Sequence, residues 1–113
     1  MNIRGYTIEP GADLSGADLH GANLYRANLR GADLREANLY GAKGVLSAGF
    51  DARGYHFYAV RQEEGYRVHA GCRWLTPEEA IEHWETRHET VLNKDIKRRL
   101  ALLAESAQDL GWT

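Results

Sequence analysis

The stretch Ala12–Gly41, ADLSGADLHGANLYRANLRGADLREANLYG, decides the fold. Ala recurs at every fifth position, and Leu follows two places after each Ala. Six units, ADLSG, ADLHG, ANLYR, ANLRG, ADLRE and ANLYG, run without a break. An amphipathic helix needs a period near 3.6 and a strand a period of 2, so a period of five suits neither. Glycines at 11, 16, 21, 31 and 41 would also weaken a helix. Asp or Asn can bond to local backbone groups at a turn, and Gly permits a tight corner.

These units resemble the pentapeptide-repeat family, whose consensus is A-(D/N)-L-x-x. The resemblance covers residues 12–41 and implies a right-handed, four-sided β-solenoid with one unit per side, the Ala and Leu of each unit pointing inward. Twenty residues then make one coil. Asp13 lies under Asp33, Ser15 under Arg35 and His20 under Tyr40, while Tyr25, Arg26 and Arg30 occupy the other two sides. Thirty residues give only about one and a half coils, fewer than repeat units need to bury their own faces. The ends therefore require covers: Ile3, Tyr6 and Ile8 on one side, and AKGVLSAGF (Ala42–Phe50) or a second copy of the chain on the other. Relatives that imitate DNA for topoisomerases are long rods, and this segment is too short for that.

Beyond Gly49 the pattern changes. GYHFYAVR alternates, with Tyr55, Phe57 and Ala59 opposite His56, Tyr58 and Val60. QEEG is a turn. YRVHAGCRWL alternates again, with Tyr66, Val68, Ala70 and Cys72 opposite Arg67, His69, Gly71 and Arg73. The two runs predict a β-hairpin. TPEEAIEHWETRH opens a helix: Thr76 caps it, Pro77 takes the first position, Glu79 completes a capping box, and Ile81 and Trp84 face the core beside Ala80. A last helix is predicted over 94–110, capped by Asn93 and ended by Gly111. Its apolar face carries Ile96, Leu100, Leu103, Ala107 and Leu110. The expected fold is mainly β with C-terminal helices: a short solenoid over 1–48 and a ββαα cap over 49–113, packed as one unit. The cap segment Gly54–Trp84 also resembles small phage and prophage proteins with the pattern GYxFYAxR…GxRxxAGCRWxTxxEAxxHW, a likeness that implies a host-directed role and no settled activity.

Composition narrows the function. The 113 residues carry 14 basic and 16 acidic side chains, net −2, which argues against a general nucleic-acid binder. The charge is even: residues 1–48 hold five of each sign, and residues 49–113 hold nine basic and eleven acidic. A single cysteine permits no internal disulfide and fits a reducing compartment. No apolar run is long enough for a membrane span, and MNIRGYTIEP lacks the core of a signal peptide. The expectation is a cytoplasmic protein.

Candidate chemistry is sparse. His69, Cys72, His83 and His88 form H-x2-C-x10-H-x4-H, but histidines five apart on a helix diverge and only one thiolate is present, so no zinc site is expected. Cys72 with His69 or His83 could make a nucleophile and base, yet alternation sets His69 on the face opposite Cys72, and Cys72 reads as a small apolar strand residue. No phosphate loop, metalloprotease helix or nucleophile elbow is present. The informative set combines arginine and aromatic side chains. With Arg61 and Trp74 in the same set, Arg67, His69 and Arg73 share one strand face, and cross-strand pairing can bring Tyr58 and His56 beside them, depending on register. Arginine forks bind phosphate oxygens and aromatic rings stack on bases. A solvated sheet face would use the same residues for cation–π contacts. The basic run KDIKRR (94–99) reads as a solvated helix face.

The sequence therefore predicts a non-enzymatic, homo-oligomeric binding protein of phage type. It would sequester a small phosphate-bearing, nucleotide-like immune signal near Arg67, Arg73, Trp74, Tyr58 and His69, with Arg30 or Tyr40 from the solenoid, and without metal or cofactor. The alternative is a protein–protein module that inhibits a host topoisomerase or nuclease through the repeat face. A hydrolase using Cys72 ranks last.

Overall fold

The computed structural model describes residues 1–70 and 73–112. Residues twenty apart in the repeat pair in parallel, through the bridges Asp13↔Asp33, Asp18↔Asn38 and Asn23↔Lys43. Backbone bonds knit these levels together: Leu14 N–H donates to Asp33 C=O at 2.8 Å, and Asp33 N–H to Ala12 C=O at 2.9 Å. Each corner is closed locally. Ala17 N–H donates to Leu14 C=O at 3.0 Å, and the same bond recurs at Ala22, Ala27, Ala32, Ala37 and Ala42. Asp13 Oδ1 accepts from Ser15 N–H, and Asp18, Asn23, Asn28, Asp33 and Asn38 do likewise two residues on. The five-residue code is thus a turn code: an acceptor side chain, an inward Leu, and a left-handed fifth residue. Leu14, Leu19, Leu24, Leu29 and Leu34 fill the interior at 2% exposure or less.

Both ends of the coil are covered. The strands β1 (Asn2–Ile3) and β2 (Tyr6–Thr7) form a small hairpin that lays Ile3, Tyr6 and Ile8 against one end. The other end meets an antiparallel sheet of four strands in the order β3-β4-β5-β6: β3 (Val45–Phe50), β4 (His56–Arg61), β5 (Tyr66–Ala70) and β6 (Arg73–Leu75). This corrects the expected two-stranded hairpin. The segment foreseen as an end cover is itself a strand, and β3 runs across the expected 48/49 boundary. Gly44 is the crossing point. A Cβ there would sit 2.6 Å from Tyr25 N, so only glycine lets the chain leave the coil so close to the level below.

The sheet is buried on both faces, and strand alternation explains how. Val45, Tyr58 and Val60 join the coil's core, with Trp74 packed against it. Ala48, Phe57, Ala59, Tyr66, Val68 and Ala70 join a second core under the helices. Helix α1 (Pro77–Glu85) starts with the predicted capping box, Thr76 Oγ1 accepting from Glu79 N–H at 3.1 Å. It buries Ala80 and Trp84, but Ile81 is 51% exposed, contrary to expectation, because the short helix turns only one stripe to the sheet. Helix α2 (Val91–Asp109) begins earlier than foreseen, capped by Thr90 and not Asn93. It buries Ile96, Leu100, Leu103 and Ala107. Leu110 is exposed instead of joining that stripe, since the chain turns at Gly111 and brings Trp112 into the core beside Tyr66. No helix among the described residues is long and apolar enough to cross a membrane.

Candidate functional site

The residues singled out by sequence do not form one pocket. Tyr58 and His69 are directly paired across β4 and β5, as the hairpin pattern allowed. Both point into the coil–sheet interior, however, and are buried. Trp74 pairs with His69 and packs on the same core. Arg67 shares that face but reaches the rim, 3.7 Å from the Glu79 carboxylate. Arg73 lies on the other face. Strands β5 and β6 are antiparallel and pair Ala70 with Arg73, which places Arg73 opposite Ala70 on the helix side. A continuous strand would have kept Arg73 with Arg67 and His69. Arg30 and Tyr40 stand on the outside of the coil, Tyr40 at 86% exposure, and neither lines a cleft described below. Cys72, and with it the considered zinc set and nucleophile, lies outside the described residues; among those described, no group of His, Asp and Glu could hold a metal ion.

What the structure does assemble is a basic cleft of about 680 Å3 between the sheet's end and the two helices, lined by Arg53, Tyr55, Arg73, His83, Trp84, Arg87, His88 and Asn93 among others. No carboxylate lines it among the described residues. Arg53 is fixed in the β3–β4 turn by Asp51, whose side chain is fully buried. The Asp51 carboxylate accepts from Arg53 Nη2 at 2.8 Å and Nε at 3.1 Å, and from the backbone N–H of Arg53 at 2.8 Å and Tyr55 at 3.2 Å. Burial alone would raise the Asp51 pKa; these donors outweigh it and hold the group below its ordinary value. The Arg53 guanidinium lies 4.7 Å above the Tyr55 ring, which leaves an arginine fork and a half-exposed ring side by side.

Arg87 enters from the end of α1. Its Nε and Nη2 lie 3.2 and 2.9 Å from His83 Nε2, so that nitrogen accepts and the imidazole is neutral. Burial first, then the charges of Arg87 and Arg73, lower the His83 pKa. The depression reports the positive field of the cleft. Arg73 has no ion-pair partner among the described residues. Arg73 and Arg87, which no carboxylate pairs among the described residues, can bind the oxygens of an anion beside Arg53, whose Nε and Nη2 are already engaged by Asp51, with Tyr55 as a stacking surface. Alternation does not reveal this group, because Arg53 sits in a turn and Arg87 beyond a helix end. The available signal was the D-A-R-G turn, in which an Asp two residues before an Arg can hold it by side chain and backbone together.

A second cleft, of about 450 Å3, opens at the seam of coil and sheet and shares Arg53 and Tyr55 with the first. It is lined also by Asp33, Arg35, His56 and His69. Hydrogen bonds from the Arg35 side chain, at 3.0 and 2.8 Å, bring Asp33 down to about 2. Burial brings His56 down to about 4, helped by nearby His69. Its Nε2 lies 2.8 Å from Ser47 Oγ, while its Nδ1 is buried without a partner. Burial likewise lowers His69, whose Nδ1 donates to the His56 carbonyl at 2.8 Å.

Residues 11–43 match the family model described as Pentapeptide repeats (8 copies). The N-terminal segment is accordingly a pentapeptide-repeat segment. The match ends at Lys43 and does not extend over the sheet and helices. No curated protein and no solved structure matches the chain.

Proposed function

We propose that this is a non-enzymatic binding protein that holds a small phosphate-bearing, nucleotide-like ligand in the cleft of Arg53, Arg73 and Arg87. The observation that carries the reading is that three arginines line one cleft that has no lining carboxylate among the described residues. Asp51 supports it by fixing Arg53 before a ligand arrives, which lowers the ordering cost of binding. Tyr55 supplies the surface for a base. In its sharpest form, the protein is a phage-encoded sponge for a nucleotide signal. Titration calorimetry against inorganic phosphate and a panel of linear and cyclic nucleotides tests the proposal. At least one nucleotide should bind more tightly than about 100 μM, and Arg73→Ala should weaken it about tenfold or more. Absence of binding across the panel, or binding that survives Arg73→Ala and Arg87→Ala together, overturns it.

A second reading, a protein–protein module acting through the repeat face on a host enzyme, is favoured by the repeat match and by the exposure of Tyr40 on the coil's outer wall. Its signature would be capture of a host enzyme that Tyr40→Ala abolishes while Arg73→Ala does not.

A further inference from the structure

The helices present a surface that neither reading uses. Between α1 and α2 runs a groove of about 450 Å3 whose apolar walls are Ile81, Trp84, Leu100, Ala101 and Ala104. Ile81 on one bank is half-exposed, and Ala101 on the other is exposed. The groove is flanked by Glu85, Lys97, Glu105 and Gln108. Its floor, Trp84 and Leu100, belongs to the core under the helices, while Ile81, Ala101 and Ala104 stand outside that core.

We propose that a second copy of the chain fills this groove, with the two α2 helices antiparallel and Ala101 on the two-fold axis. The charge order along the helix carries the argument. In that arrangement residue i faces residue 202 − i of the partner. Lys97, four residues before Ala101, meets Glu105, four residues after it, and this happens twice. Lys94 meets Gln108, seven residues before and after. Lys94, Lys97, Ala101, Glu105 and Gln108 fall on one stripe of a 3.6-residue helix, so all of these pairs form at once. A parallel pair would set Lys97 against Lys97 and Glu105 against Glu105. The surface is therefore complementary to itself in one orientation only, as a closed two-fold interface requires.

Packing agrees. Ala101 is small enough for two helix axes to approach to about 8 Å, where Ile81 of each copy covers the other's helix. Lys97 is already steadied at the groove rim, 2.8 Å from Glu89 and 3.9 Å from Glu85, so less side-chain entropy is lost when it meets a third carboxylate. This interface does not depend on the ligand reading, because the basic cleft and the groove share only the Trp84 side chain and no arginine of the cleft lines the groove.

Light scattering and cross-linking test the proposal. The wild-type chain should be dimeric at tens of micromolar. In a Cys72→Ser background, Ala101→Cys should give a covalent dimer under mild oxidation, while Leu102→Cys, turned about 100° away, should not. With Cys72 retained, Lys97→Glu or Glu105→Lys alone should raise the dimer dissociation constant about tenfold or more. The two changes together should restore it, since the swapped charges still pair across the axis. Thermal melts of each variant separate lost folding from lost association. A wild-type monomer, a dimer that Ala101→Cys fails to cross-link, or a charge swap that does not recover association would each overturn the proposal.

Discussion

The Tyr58 ring lies parallel to the His69 imidazole, with 4.4 Å between centroids and 6° between planes, and its hydroxyl donates to Leu29 C=O at 2.8 Å. One side chain thus ties the sheet to the interior of the coil. Burial raises the phenol pKa, so the group remains a donor throughout the working range. Tyr58→Phe should keep the stack but leave the Leu29 carbonyl with only its bond from Ala32 N–H, at a cost of about 0.5–1.5 kcal/mol. Tyr58→Ala should cost about 3–5 kcal/mol through the cavity as well. Urea unfolding of both variants checks the order; equal effects would mean that the hydroxyl contributes nothing.

The repeat core makes a sharper contrast. Leu24 is fully buried and Arg30 is exposed, although they are only six residues apart. Leu24→Ala should cost about 2–5 kcal/mol, and Arg30→Ala should stay within about 0.5 kcal/mol. Similar melting temperatures for the two variants would refute the inward register of the Leu positions.

Two corners lack the usual glycine. Arg26 and Glu36 adopt φ of 68° and 61°, a region that costs a side-chain-bearing residue about 1–2 kcal/mol. Glycine adds entropy to the unfolded chain, which takes back part of the gain. Glu36→Gly should therefore stabilise by up to about 1 kcal/mol, measurable as a rise in Tm. Gly44→Ala should do the reverse and strongly, since its Cβ would strike the Tyr25 backbone. A neutral Gly44→Ala variant would contradict the close approach of chain and coil.

Acid should loosen the seam between coil and sheet. His56 titrates near 4 in the fold against an ordinary value of 6.5, so the unfolded chain takes up its proton first as pH falls. Its contribution is fully present above about pH 6.5 and is lost between there and about pH 4, by at most about 3 kcal/mol. Asp33, near 2 in the fold through its bonds to Arg35, continues the decline below about pH 3.8. Melting scans from pH 7.5 to 4 should show the fall, and His56→Phe should flatten its upper part. An unchanged slope in that variant would shift the effect to other groups.

Asp51 offers a test of how the basic cleft is arranged. Asp51→Asn keeps the shape but removes the charge that holds Arg53, and leaves the exposed Arg73 and Arg87 in place. Ligand affinity should fall less than in Arg73→Ala, by several-fold, together with a loss of stability from the buried contact. Tighter binding would show that Asp51 competes with the ligand for Arg53.

The coil, its corners and its stacking interval were legible in Ala12–Gly41, because a five-residue turn is a local object: the Asp or Asn acceptor, the inward Leu and the corner residue all lie within one unit. The capping box of α1 was legible for the same reason. The second half depended on long-range pairing. That Val45–Phe50 is a strand became visible only once β4 lay beside it. Arg73 changed faces because it lies on β6, antiparallel to β5 and paired with Ala70, and a one-dimensional alternation assumes a single strand. Arg53, Arg73 and Arg87 come from a turn, an edge strand and a helix end, with no shared period to reveal them. Their convergence exists only after the helices have closed over the sheet, since side-chain faces follow from strand pairing and packing while turn chemistry is settled within a few residues.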